Sequence, residues 1–373
     1  MKNVAVIGAG ASGLFLTRKL AGDPTLQLYL FERSRNVGTK LRASGGGRAN
    51  IFNKNISPLC YNNPETIEQL LSKVTPERMQ SEFENLGLPV ISDDEGRVYP
   101  LTQFSQTVVD ILWNENMSNV HIETECEVKQ LTANNGTWRV NDYPVLFDAV
   151  VVASGSPANM IQKNRLNYNG FLSPLKLKTK ECQPSLVGFK IKDYPKRLSG
   201  CRTKAIASLY QNDTLIHREA GEVIFKDEGI SGIVILNLSA FYNRLPSQKN
   251  CHISLNLMYQ DEQFDVVSYQ KRFHSMKGLL HPKLNEWYER NPFNVKDMRL
   301  EILSTYEMEQ AQVCHGGVDV SEINDDFSAK RFQNLFFTGE ILDIDGVCGG
   351  YNLFFAFASA LVVSNAIKKS SVV

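Results

Sequence analysis

Hydrophobic and polar positions follow two different patterns along this 373-residue chain. Val4 to Ile7 is an apolar run with both faces hydrophobic, as in a strand buried inside a parallel sheet. Gly8 to Gly13 interrupts it. Leu14, Phe15, Leu16 and Leu20 then give a helix one apolar side, which Gly22-Asp23-Pro24 stops. Leu26 to Phe31 is a second strand, ending at Glu32. The segment from Gly38 to Asn53 is too polar and glycine-dense for a helix or strand interior and reads as a functional loop. Residues 64–86 read as helical, with Pro76 opening a new helix at its first turn, and Ser105 to Trp113 as an amphipathic helix. His121 to Leu131 and Thr137 to Val140 read as strands flanking the turn Asn134-Asn135-Gly136. Phe147 to Ala153 reads as a buried strand closed by Ser154-Gly155.

From about residue 165 the pattern changes to alternating, turn-separated strands, around Leu186 to Lys192, Ala205 to Tyr210, Glu222 to Phe225 and His252 to Leu257, followed by a helical stretch from Val266 to Arg290. At Asn334 the first pattern returns, with a strand at Leu335 to Thr338, a loop from Gly339 to Tyr351 and a long apolar helix from Leu353 to Lys368. The expected fold class is α/β: a Rossmann-like domain formed by residues 1–165 and 312–373, with a β-rich insertion carrying a small helical part at 166–311.

Composition narrows the function classes. Lys plus Arg equals Asp plus Glu at 40 each, so no net field draws the chain toward nucleic acid or anionic lipid, and small-molecule partners are expected. The seven cysteines are widely spaced, with no C-x-x-C pair or Cys/His ligand cluster, which suits a reducing compartment and gives no expectation of a metal site. No signal-type N-terminus and no uninterrupted apolar stretch of about 18 residues is seen, so a cytoplasmic protein without a membrane anchor is expected. Oligomeric state is not legible.

Gly8-Ala9-Gly10-Ala11-Ser12-Gly13 lies between the first strand and the first helix, where a dinucleotide fingerprint must lie to work. Gly8 permits the tight turn, Gly10 lets the backbone approach a pyrophosphate, and Gly13 lets helix and strand pack closely. The helix start supplies unpaired N–H groups and partial positive charge to phosphates. Glu32, at the end of the second strand, can accept from ribose hydroxyls. Arg33 beside it suits a 2′-phosphate, adenine stacking or solvent equally. The fingerprint alone does not separate NAD from FAD.

Three further segments do. Gly38-Thr39-Lys40-Leu41-Arg42-Ala43-Ser44-Gly45-Gly46-Gly47-Arg48-Ala49-Asn50 resembles the glycine-rich loop of the BaiN/RdsA (YhiN-like) NAD(P)/FAD-dependent oxidoreductases, a family that includes aminoacetone oxidases. Gly316-Gly317-Val318-Asp319 and the run from Thr338 through Cys348, Gly349, Gly350, Tyr351 and Asn352 to Leu353 look like that family's C-terminal signature. Gly96 to Pro100 and Gly229 to Gly232 are similar to further landmarks. The resemblance implies a glutathione-reductase-type FAD domain in two chain segments, with the Ser44 to Asn50 loop beside FAD, Gly339-Glu340 near the ribityl chain and the insertion covering the flavin. It departs from the family at Thr39, usually Arg or Lys, at Ala49, usually Cys, and after Ala153-Ser154-Gly155, where the chain is shorter.

The cofactor-binding set is therefore Gly8, Gly10, Ala11, Ser12, Gly13, Glu32, Arg33, Lys40, Ser44, Gly45, Gly46, Gly47, Arg48, Asn50, Val128, Ala153, Ser154, Gly155, Gly339, Glu340, Gly349, Gly350, Tyr351, Asn352 and Leu353. FAD is the expected cofactor, with NAD(P)H a candidate electron donor. The final helix start would stabilise negative charge on reduced flavin. The candidate catalytic residues are Cys348, Tyr351 and Arg48, and His315 is a lone histidine more simply read as structural. The expected activity is hydride transfer between flavin N5 and a small organic substrate, NAD(P)H or both. The alternatives are an NAD(P)-only Rossmann dehydrogenase and a non-catalytic flavin-binding or sensor protein, while a tRNA-modifying flavoenzyme draws little support from the neutral composition.

Overall fold

The computed structural model describes residues 1–114, 117–158 and 170–371. It divides into two compact units, Met1–Cys182 with Cys314–Val373, and Gln183–Val313. The expected boundary at 165/166 lies outside the described residues. The observed division comes later because Phe171, Leu172 and Leu175 pack into the first unit's core.

The first unit is built on a five-stranded parallel sheet in the order Leu335–Phe337, Ala149–Val152, Lys2–Ile7, Leu26–Phe31, Val120–Glu123. Lys2–Ile7 is central, and Val4, Ala5 and Val6 are fully buried, as a strand covered on both faces requires. The N-terminal strand thus pairs through Ala149–Val152 with a strand more than three hundred residues away, so the unit closes only when both chain segments are present.

The helix Ala11–Leu20 buries Leu14, Phe15, Leu16 and Leu20. The C-terminal helix Tyr351–Ser371 packs against it, with the Phe15 and Phe357 rings 5.4 Å apart. That C-terminal helix has a mean hydropathy of 1.2 and, by length and composition alone, suffices to cross a bilayer, but two thirds of its apolar stretch is buried inside the protein. Its apolar character is that of a core helix. Smaller antiparallel pairings join Phe52–Asn53 and Val90–Ser92 to Arg97–Pro100, and Leu131–Asn134 to Thr137–Val140.

The second unit is a closed six-stranded antiparallel barrel of Phe189–Ile191, Gly229–Ser231, Thr214–Phe225, Arg202–Gln211, Cys251–Asn256 and Met298–Thr305. Closure leaves no open sheet edge.

Several local expectations are corrected. Gly38 to Asn53 is not plain loop: it holds a short helix, Thr39–Ala43, a tight turn at Ser44–Gly47 and the strand Phe52–Asn53. The strand read over His121 to Leu131 stops at Glu123, and the chain then turns through Glu125, whose φ is +55°. The helix read over Val266 to Arg290 is two helices, Val266–Phe273 and Pro282–Arg290, separated after the left-handed His274 and restarted by Pro282 in its first turn. Ile233–Asn243, unread in the sequence, is a helix whose Val234, Ile235, Leu238 and Tyr242 enter the barrel unit's core.

Candidate functional site

The expected site residues come together within the first unit, at the C-terminal ends of the parallel strands, where open α/β sheets present their crevice. Gly8 follows the central strand with φ +105°, and a Cβ there would lie 2.4 Å from Ala153 O. At Gly13 a Cβ would lie 1.9 Å from Gly8 O, so only hydrogen lets the helix pass this close to the turn. Gly10 is different: a Cβ on it would meet no heavy atom within 4 Å. Gly10 also caps the helix Ala11–Leu20 without a side-chain hydrogen bond, leaving the first backbone N–H groups of Ala11, Ser12 and Gly13 outside the helix's own bonding pattern. Gly155, beyond Ala153 and Ser154 on the neighbouring strand end, likewise borders open space.

Glu32 is clamped at this turn. One carboxylate oxygen accepts from the Ala9 N–H and the other from the Ser34 N–H, both at 2.8 Å. Each oxygen keeps a lone pair for a hydroxyl. The segment carrying Val128 is held beside it, because the Cys126 N–H donates to Glu32 O at 2.9 Å, and Val128 itself is buried. Arg33 is exposed.

The glycine-rich loop and the C-terminal signature are bound to each other. Lys40 Nζ lies 2.6 Å from Glu340 Oε2, and Ser156 donates to the same oxygen at 2.9 Å, so three distant segments share one carboxylate. With its amide oriented to suit both neighbours, Asn50 donates to Phe52 O at 3.0 Å and accepts from the Gly350 N–H at 3.1 Å. Asn53 Nδ2 donates to Gly349 O at 3.0 Å. A Cβ on Gly350 would lie 2.5 Å from the Phe52 carbonyl, which explains why this helix start needs glycine. Asn352 closes the preceding loop by accepting from Gly346 N–H and donating to Gly346 O. Leu353 packs half-buried against the first unit's core.

Some expected side chains face inward. Ser12 Oγ is buried and donates to Thr338 O at 3.4 Å, while Ser44 Oγ donates to Leu41 O at 2.7 Å. Ser12 and Ser44 can therefore offer a ligand their backbone, with their hydroxyls already engaged. Gly45 folds back on Asn50, but Gly46 and Gly47 border open space. Arg48 is exposed and stacks over Tyr99 at 5.0 Å, an anchor the sequence did not reveal. Tyr351 is half-buried against Tyr61, and Tyr61 OH donates to Tyr351 O at 2.7 Å. Burial pushes the Tyr61 phenol well above its ordinary value, so it stays a neutral donor. Cys348 sits half-buried just before Gly349. Gly339 donates its N–H to Ser359 of the C-terminal helix at 3.1 Å.

A second cluster adjoins this frame. His315 Nδ1 lies 2.7 Å from Asp345 Oδ1, and since a carboxylate only accepts, Nδ1 carries the hydrogen. Burial works against the imidazolium, but the Asp345 hydrogen bond and the nearby Asp343 charge outweigh it, so the His315 pKa lies above its ordinary value. Asp343, almost wholly buried, accepts from Asn62 Nδ2 at 3.0 Å and Gly316 N–H at 3.1 Å on one oxygen, and pairs with Lys180 Nζ at 2.5 Å on the other. His315, Asp343 and Asp345 are close enough together to hold a metal ion. Lys180 already supplies the positive charge that Asp343 needs. The sequence missed this cluster because its members lie up to 283 residues apart, as in the Asp345 N–H bond to Asn62. The Asp-x-Asp spacing at 343 and 345 was its single local signal.

These residues fit an extended dinucleotide. The Gly10 and Gly155 openings, the uncapped helix start and the Glu32 carboxylate form one group, and the Gly46-Gly47 opening and the Tyr351–Ser371 helix start form a second. Relatives match along nearly the whole length. A 3-dehydro-bile acid delta(4,6)-reductase of Clostridium scindens is 26% identical over 98% of this chain and 99% of its own. The ribosomal RNA dihydrouridine synthases of Escherichia coli and Haemophilus influenzae are 25% and 22% identical, over 95% and 98% of both chains. With the HI0933-like protein Rossmann domain model matching residues 2–366, this chain belongs to that family.

Proposed function

We propose that this enzyme adds two hydrogens across a carbon–carbon double bond conjugated to a carbonyl in a small organic substrate, with NAD(P)H as the source of reducing equivalents. By their names, the relatives act on unlike substrates, a bile acid and a ribosomal uridine, yet each saturates a ring double bond conjugated to a carbonyl. Bound FAD would supply the hydride acceptor and donor at N5. The chain's part is to hold that group, exclude water and deliver a proton.

Gly8 to Gly13 and Glu32 would hold the adenosine diphosphate half, and Lys40, Glu340 and the Ser44 to Asn50 loop the other half. The start of the helix Tyr351–Ser371, as the positive end of its dipole, would favour the extra negative charge of the reduced state. The proton is assigned to His315. The observation that carries this is the His315–Asp345 pair at 2.7 Å, which keeps the imidazole charged at higher pH than a free histidine. A conjugated double bond that gains hydride at its β-carbon becomes an enolate and needs a proton at the α-carbon, and an imidazolium is the fitting acid near neutral pH. The equal numbers of acidic and basic residues favour a small substrate over RNA.

The test is anaerobic. FAD-loaded protein is bleached with NADH or NADPH, then offered cyclic enones, an oxo-diene steroid, uridine-containing RNA and simple amines. Return of flavin colour with an enone, and not with RNA, is expected. Return with RNA alone overturns the small-substrate assignment, and bleaching by amines without NAD(P)H overturns reduction in favour of oxidation.

A further inference from the structure

The chain leaves the first unit at Cys182 and re-enters it at Cys314. These residues sit on Thr179–Ser185 and Val313–Val318, which pair as a two-stranded sheet. Just beyond that sheet Asp319 N–H donates to Lys178 O at 3.0 Å, and a Cβ on Gly316, inside it, would lie 3.1 Å from Cys182 Cα. The strands are therefore close at this point, and the two thiols share a hydrogen bond. We propose that Cys182 and Cys314 form a peroxide-reactive dithiol that closes to a disulfide across the two strands connecting the units.

The surroundings give the two sulfurs unequal roles. The hydrogen bond from Cys314 and the positive charge of His315 lower the Cys182 pKa, despite opposition from burial and from Asp343. Cys314 is buried and held firmly as a thiol by the same hydrogen bond and by desolvation. Cys182 is half-buried and so within reach of a small oxidant. By contrast, burial raises Cys126, Cys201 and Cys251, which keeps them protonated and slow.

The chemistry balances with hydrogen peroxide as oxidant. The Cys182 thiolate attacks one peroxide oxygen, the O–O bond breaks, and hydroxide leaves to take up the proton the thiol had released. Sulfur now bears a hydroxyl. Cys314 sulfur attacks Cys182 sulfur, the S–O bond breaks, and the Cys314 proton leaves with that oxygen as water. Two thiols lose two electrons to peroxide, and one disulfide and two waters result. The inference does not rest on the substrate assigned to the flavin.

The test is peptide mapping of the full-length, FAD-loaded protein after brief treatment with dilute hydrogen peroxide. A Cys182–Cys314 linked peptide is expected, lost again on reduction with dithiothreitol, and formed about tenfold faster than any modification of Cys126, Cys201 or Cys251. In Cys314→Ser, Cys182 should instead accumulate a sulfenic acid trapped by a dimedone reagent. The proposal is overturned if both cysteines survive as thiols while others react, or if wild-type Cys182 proceeds to sulfinate with Cys314 still free.

Discussion

Gly13 is fixed by its neighbours and Lys40 by its partners, and the two lead to opposite expectations. A methyl on Gly13 would meet Gly8 O at 1.9 Å, backbone against backbone, with no flexible side chain to yield. Gly13→Ala is expected to cost about 3 kcal/mol of unfolding free energy, read from a denaturant midpoint. Lys40→Met should cost under about 1 kcal/mol, because the ion pair with Glu340 is partly exposed to solvent. It should nevertheless weaken FAD binding, since Glu340 then loses its shortest contact; unchanged FAD affinity would contradict the role given to this pair. His315 makes a third case. As proton donor it must be charged, so turnover should be flat below its raised pKa and fall as pH rises through it. His315→Gln should lower kcat by about a hundredfold and remove that fall, and a variant that keeps the wild-type profile would exclude the assignment. The glycine fingerprint was legible in the sequence because one turn fixes all its positions. The His315–Asp345 pair was not, because nothing local says that strand Val313–Val318 lies against the loop after Glu340.

At the scale of elements, the C-terminal helix has two tasks. Its Phe357 ring lies 5.4 Å from Phe15 and 5.0 Å from Phe83, fully buried. Phe357→Ala is expected to cost about 3 to 5 kcal/mol, measured by thermal or chemical unfolding, because the three rings cannot close over the void. The same helix opens at Gly350, fastened by Asn50 and Phe52, so the packed end and the expected cofactor end belong to one rigid element. This helix was legible, since its apolar run and glycine opening are both local. The pair Val266–Phe273 and Pro282–Arg290 was misread as one because its amphipathic pattern continues across the break, while the left-handed turn at His274 leaves no mark on that pattern. The long hairpin of Arg202–Gln211 and Thr214–Phe225 was seen only in fragments. Its outer half is largely polar, and polar alternation in a barrel strand resembles a loop.

For the whole molecule, the central claim is that one unit, assembled from both ends of the chain, holds one FAD between two glycine-lined helix starts. The sequence made this two-segment assembly visible through the strand-and-helix pattern that returns at Asn334 and through the motifs at both ends, and left the barrel closure of the insertion to the structure. Gly10 isolates the claim. Its φ is −83° and a Cβ there meets no protein atom within 4 Å, so a side chain can be added without disturbing the protein itself. The direct measurement is FAD titration of the apoprotein by flavin fluorescence for wild type and Gly10→Val, with the apoprotein melting temperature recorded alongside. The account predicts unchanged melting of the apoprotein and FAD affinity reduced about a hundredfold or more, equivalent to roughly 2.7 kcal/mol. Equal FAD affinity in the two proteins would contradict it, because the pyrophosphate could not then lie against this turn.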